Sequence, residues 1–158
     1  MIKSSNLCVA PETLILTDQG HKQICTLENK EVNVWNGKEF SKTNVRKTGE
    51  NQELIKVVLT NIDTNKNTAI ECTRYHKFFI SHKNSFSKIK AEDLKEGMRL
   101  IPYTLNNDNL IYRQIVKKIQ ITGRISDTYC FNESKRHAGI FNGIITGNCS
   151  EILEYSDT

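Results

Sequence analysis

Two Asn-Gly pairs, each flanked by alternating apolar and polar residues, constrain this chain more than any other local feature. In VNVWNGKEFSKT the alternation runs around Asn36-Gly37, and GIFNGIITGN repeats the arrangement around Asn142-Gly143. Asn and Gly accept the positive φ angles of a tight turn, and period-two alternation gives a strand one face for a core. Together they form the strongest short-range hairpin signal. ELIKVVLTNI and NTAIECTRY read as two more strands joined by DTNKN. YRQIVKKIQITGRI alternates again, with Gly123 marking a turn or bulge. Helical pattern is scarce, with one short piece around SKIKAEDLK and another at SEILEY in the tail. PYTLNNDNL reads as an exposed loop. No repeat of 20–50 residues is present. The expected class is a small all-β domain with little helix.

The 158 residues suffice for one domain with its own core. No apolar run approaches the roughly 20 residues of a membrane helix, so no membrane partner is expected. The leader MIKSSNL is too short and too polar for a secretory signal, which predicts a cytoplasmic location. A net charge of +4 comes from 22 basic and 18 acidic residues without a block of like charges. That pattern predicts no nucleic-acid partner. A monomer is expected.

Five cysteines stand at positions 8, 25, 72, 130 and 149, so any disulfide scheme leaves one unpaired. None forms C-x-x-C, which argues against a structural zinc site. With no secretory signal they are expected to be reduced thiols. Such a dispersed set directs attention to single thiols as nucleophiles. Cys25 and Cys72 are most cheaply read as core.

Read together, the two ends add a family resemblance. CVAPETLIL resembles the opening block of inteins, self-splicing protein insertions, with the first nucleophile at Cys8. CTRYHKFFI carries T-x-x-H as Thr73-Arg74-Tyr75-His76, similar to the second block. YCFNESKRHAGIFNGIITGNC resembles the two closing blocks, ending in Asn148 followed by Cys149. T-x-x-H alone is weak, but four blocks in order with a nucleophile at each boundary are specific. The resemblance implies an N-terminal flank at 1–7, a mini-intein at 8–148 and a C-terminal flank at 149–158. It also implies a horseshoe-shaped, pseudo-two-fold Hint fold that brings both boundaries together. The Asn-rich loop near 103–110 is too short to hold an endonuclease. Joining the flanks gives SSNLCSEILE, which looks like the active-site segment of a ribonucleotide reductase large subunit, with Cys149 as its radical-bearing thiol.

The resemblance implies autocatalytic splicing in cis, single-turnover, with the chain's own flanks as substrates and no cofactor. The Cys8 thiol would attack the Leu7 carbonyl, exchanging an amide for a thioester. His76 would protonate the leaving amine and Thr73 would orient the junction peptide. The plainer alternative is that Thr73 and His76 only end a strand. The acyl group would then pass to Cys149, whose proton needs an acceptor because a free thiol is only slightly ionised at neutral pH. Cys130 stands seven positions before His137, where most inteins have aspartate. It is assigned that task, with Asp127 as rival and core filling as the plain alternative. Finally the Asn148 side-chain amide would attack its own carbonyl, closing a succinimide. His137, eleven residues earlier, would polarise that carbonyl or protonate the departing group, unless it is an exposed loop residue.

This chain departs from the family where Gly147 replaces the usual histidine before Asn148. One expectation is that His137 does both jobs and that glycine's freedom lets Asn148 reach an attack geometry. No metal is required, although Cys8, His76 and Cys149 would be soft ligands for inhibitory zinc. His21 and Cys25 form H-x3-C without a matching pair, and a turn explains His21 more cheaply. Trp35 reads as a hairpin packing residue, and His82 has no identifiable partner. Two other functions compete: a hedgehog-type self-cleaving domain that passes its thioester to an outside nucleophile, and a non-catalytic β module. Asn148-Cys149 with a downstream flank argues against the former.

Overall fold

The computed structural model describes residues 8–82, 85–101, 103–104 and 111–147. The expectations placed on Leu7, Asn148, Cys149, SEILEY and the middle of the Asn-rich loop lie outside the described residues.

Among these residues twelve strands and two short 3₁₀ turns form. The strands are β1 (Leu14–Thr17), β2 (Gly20–Gln23), β3 (Glu31–Trp35), β4 (Phe40–Asn61), β5 (Asn67–Cys72) and β6 (Lys77–His82). They continue with β7 (Ser85–Lys90), β8 (Tyr103–Thr104), β9 (Ile111–Tyr112), β10 (Gln114–Phe131), β11 (Ala138–Phe141) and β12 (Ile144–Gly147). One sheet runs β10-β4-β3-β1-β11-β12-β6-β7, with β2 added to β1 and β5 to β4, and β8-β9 pair separately. The sheet curls into a half-barrel, as the all-β reading requires.

The curl follows from two long strands that serve more than one neighbour. β4 pairs with β3 at Val32↔Thr43 and with β5 at Val57↔Ile70, so one strand belongs to two parts of the sheet. β10 follows it from Gln114↔Asn61 to Phe131↔Val45, with register shifts such as that between Ile121 and Ile125. Such irregularities bend and twist a ladder. Gly123, at φ +77°, lies inside that shift, where the sequence reading put a bulge.

Central strands are buried on both faces, which explains why IIT and GIF read as continuous apolar runs. Ile15, Phe141 and Ile144 enter the main core with Val45, Val57, Leu59 and Phe78. Their neighbours Leu16, Ile140 and Ile145 enter a second cluster with Trp35 and Phe79. Adjacent strand residues point to opposite faces, so one run feeds two clusters.

Both Asn-Gly pairs make hairpins, but of different kinds. Asn142 and Gly143, at φ +50° and +82°, form a two-residue loop between the paired Phe141 and Ile144. Asn36-Gly37 lies in a four-residue loop between the paired Trp35 and Phe40. There the Asn36 side-chain oxygen accepts the N–H groups of Lys38 (3.0 Å) and Glu39 (2.9 Å). Side-chain capping of this sort replaces the tight turn. Trp35 packs edge-on against Phe40, as a hairpin residue should.

The helix expected around SKIKAEDLK does not form. Its first half is β7, paired with β6 through Phe78↔Ile89, and only Ala91–Asp93 makes a 3₁₀ turn. Cross-strand pairing outweighs a short helical propensity.

Candidate functional site

The described chain starts by threading between two strand ends. Val9 exchanges backbone hydrogen bonds with Tyr129, the N–H of Val9 donating at 3.2 Å and that of Tyr129 at 3.0 Å. Val9 also bridges to Cys72 at the end of β5. The Thr73 N–H donates to the Cys8 carbonyl at 2.8 Å, and the Cys8 N–H donates to Thr73 Oγ1 at 3.2 Å. Thr73 therefore grips both backbone polar groups of Cys8. Cys8 is buried and holds φ +91°, a conformation that costs a side-chain-bearing residue about 1–3 kcal/mol. A non-glycine residue persists there only because its surroundings impose it.

The Cys8 sulfur is not a free thiol. It forms a disulfide with Cys130, their Cα atoms 5.5 Å apart. This overturns the expectation that all five cysteines are reduced. The physical reason is the Val9–Tyr129 pairing, which sets the preceding Cys8 beside the following Cys130 at a separation a disulfide can span. Cys130 is thus brought to Cys8. Its rival Asp127 is half-exposed and paired with Lys47 at 3.2 Å.

His76 follows Thr73 by one turn, closed by the His76 N–H on the Thr73 carbonyl at 3.2 Å. Its ring is buried edge-on against Phe78 and Phe141. Burial pushes its pKa down to about 3, so the imidazole is neutral near physiological pH. Nε2 lies 2.8 Å from Thr146 Oγ1, and the Thr146 hydroxyl donates to the Gly147 carbonyl at 3.1 Å. A hydroxyl has one proton. With it directed at Gly147, the ring hydrogen is assigned to Nε2, and Nδ1 is the bare acceptor. Nδ1 is buried and meets no hydrogen-bond partner among the described residues.

The far end of the chain arrives through β12, which pairs with β6 at Thr146↔Phe78. A continuous set of contacts therefore links Cys8 through Thr73 and His76 to Thr146 and Gly147. His137 sits next to Ala138, the register partner of Gly147, the last described residue before Asn148. It too has a left-handed backbone, φ +56°. Gly147 itself lies in β12 and is not among the residues with positive φ. Its glycine character answers to space: a Cβ there would lie 3.3 Å from both the Cβ and the carbonyl oxygen of Lys77. A side chain there would need Lys77 to give way by a few tenths of an ångström, so packing on β6 favours glycine at this position.

The other sequence candidates fall elsewhere. His82 bonds Ser87 Oγ at 2.8 Å across the β6–β7 hairpin. His21 is exposed on β2, Cys25 packs at the edge of the core, and Cys72 is buried with its thiol pKa pushed up by burial. No group of three or more His, Cys, Asp or Glu side chains suited to a metal occurs among the described residues. No helix among them is long and apolar enough to cross a membrane. Thr146 and the buried Glu133 escaped the sequence reading. A threonine inside the apolar run IITG was the available signal for the first. Nothing local marks the second.

The fold has counterparts among known proteins. No family profile matches the sequence. The TvoVMA intein superposes with a TM-score of 0.72 at 16% identity, covering 90% of this chain and 98% of that one. The DnaB intein from Synechocystis sp. PCC 6803 gives 0.66 at 18%, covering 90% and 98%. The DnaX mini-intein of Spirulina platensis gives 0.61 at 22%, covering 89% and 99%. The fold is therefore the intein, or Hint, fold. In sequence, 118 residues are 43% identical to the ribonucleoside-diphosphate reductase large subunit of Invertebrate iridescent virus 6, covering 66% of this chain and 12% of that protein. The ribonucleoside-diphosphate reductase NrdEB subunit alpha of Bacillus subtilis is 27% identical over 115 residues, 63% of this chain and 10% of that protein. The chain thus spans about a tenth of the curated relatives it matches.

Proposed function

We propose that residues 8–148 are a cis-splicing mini-intein interrupting a ribonucleotide reductase large subunit, with residues 1–7 and 149–158 as its flanks. The observation that carries this reading is the contact set from Cys8 through Thr73 and His76 to Thr146 and Gly147, which brings together residues about 140 positions apart, next to the two proposed boundaries. Closing a loop of that length costs roughly 4 kcal/mol in chain entropy, and folding spends it to make the boundary chemistry intramolecular.

The first event is reduction. A dithiol reductant gives two electrons and two protons to the Cys8–Cys130 bond, becoming a disulfide itself and leaving two thiols. The Cys8 sulfur then attacks the Leu7 carbonyl. The neutral His76 ring takes the thiol proton at Nδ1 and returns it to the departing Cys8 amine, so no standing imidazolium is needed. Thr73, already bonded to both polar groups of Cys8, keeps that residue in its unfavourable backbone conformation. Cys149 attacks the Cys8 thioester and takes the acyl group; Cys130, freed from Cys8 and in its thiolate form, takes the Cys149 proton and passes it to the departing Cys8 sulfur. Asn148 closes on its own carbonyl, assisted by His137, and the two flanks rejoin through an S-to-N shift at Cys149. Zinc bound at Cys8, His76 and Cys149 would block these steps.

The test places the chain between two carrier proteins and follows intact mass after adding a dithiol reductant. Joined carriers and a free fragment spanning 8–148 are expected, with Cys8→Ala abolishing joining. Unchanged mass in the reduced, folded protein would overturn the reading.

A further inference from the structure

Glu133 is wholly buried although it carries a carboxylate. Burial alone raises the pKa of its carboxyl, but hydrogen bonds from Asn36, the Arg136 N–H, Ser41 and the Lys135 N–H outweigh it and hold the group below its usual range. The geometry is specific. Oε1 accepts the Arg136 N–H at 2.8 Å and the His137 N–H at 2.9 Å. Oε2 accepts the Lys135 N–H at 3.0 Å and the Asn36 side-chain amide at 3.1 Å. The His137 N–H also reaches the Glu133 backbone carbonyl at 3.1 Å.

Three successive backbone N–H groups thus close around one carboxylate, the concave arrangement in which peptide donors hold an anion. The third belongs to His137, whose left-handed backbone sets where its ring departs from the chain, one residue before the Ala138↔Gly147 pair. We infer that Glu133 is a positioning residue for His137: its carboxylate, anchored by Asn36 on the β3–β4 loop, fixes the turn that aims the imidazole at the Asn148 end of the site. This rests on the splicing reading above. A turn of this length needs no buried charge merely to reverse the chain, since exposed turns close with backbone bonds alone. Directed donors on both oxygens of one carboxylate instead fix the orientation of the residue that ends the turn.

The experiment measures two rates in the reduced full chain between carriers: cleavage after Asn148, and cleavage before Cys8 by added thiol. Glu133→Gln keeps the shape but replaces one oxygen by an amide nitrogen, which faces a pair of N–H donors whichever way the amide is turned. It should slow cleavage after Asn148 at least ten-fold while thiol cleavage before Cys8 changes less than two-fold. Glu133→Asp, which keeps the charge but shortens its reach, should show the same selectivity more weakly, and it stands in if the glutamine variant unfolds at the assay temperature. Equal slowing of both steps in whichever variant remains folded, or no slowing of either, overturns the inference. The unaltered chain and His137→Ala are the controls. If the unaltered chain does not rearrange, the splicing reading itself fails. If it does, and His137→Ala selectively loses cleavage after Asn148, a non-selective Glu133 effect refutes only the positioning role.

Discussion

A histidine ring buried among aromatic side chains is driven toward its neutral form, and His76 has no described acidic partner to oppose this. Its imidazole titrates at about 3 in the fold, against 6.5 for the free side chain. Between those values the unfolded chain binds the extra proton, so His76 contributes stability fully above roughly pH 6.5 and loses it as pH falls toward 3. Thermal unfolding of the parent should therefore drop across that window, and His76→Gln should drop less steeply. Thr146→Val removes the only described partner of Nε2 and leaves a buried N–H unsatisfied. Unfolding should show a loss of about 1–3 kcal/mol, and thioester formation at Cys8 should slow with it. Residues of this kind divide sharply in how legible they were. Cys8, Thr73 and His76 were visible because their chemistry sits in short motifs. Thr146 was not, because its partner His76 lies 70 residues away, and Glu133 was not, because the Asn36 that anchors it lies 97 residues away and no local pattern marks its burial. The disulfide was hidden for the same reason, depending on a Val9–Tyr129 pairing that no local pattern encodes.

At the scale of elements, the β11–β12 hairpin carries the most constraint, since it delivers both His137 and the approach to Asn148. Its Asn142-Gly143 turn was legible because both residues tolerate the left-handed angles that a two-residue loop demands. Asn142 also ties the hairpin to neighbours, accepting the Leu14 N–H at 2.8 Å and donating to the Ala69 carbonyl at 2.9 Å. The constraint at Gly139 was not legible. A Cβ there would lie 2.4 Å from Cζ of Phe131, a ring buried and stacked on Phe141 and so unable to yield. Gly139→Ala should destabilise by about 1–3 kcal/mol through overpacking, readable as a lower denaturation midpoint at unchanged slope. β7 was misread as helix because SKIKAEDLK has helical residue types, while its structure is set by Phe78↔Ile89 and its neighbours across the sheet.

For the molecule as a whole, the curled sheet converts a long sequence separation into contact. β5 and β10 receive the start of the described chain, and β6 receives its end, so the residues joining those strands become a single site. The disulfide makes that site conditional: while Cys8 is bonded to Cys130 its sulfur has no lone thiol to offer the Leu7 carbonyl. Cys130→Ser should accordingly remove the need for a reductant in the first step, while slowing transfer to Cys149 if Cys130 serves that thiol. The decisive measurement is a time course of intact mass for the full chain between two carriers, with and without a dithiol reductant. Conversion to joined carriers and a fragment spanning 8–148 on reduction, and constancy under oxidation, is the predicted result. A chain that stays folded and reduced yet keeps its mass would show that the two boundaries do not react.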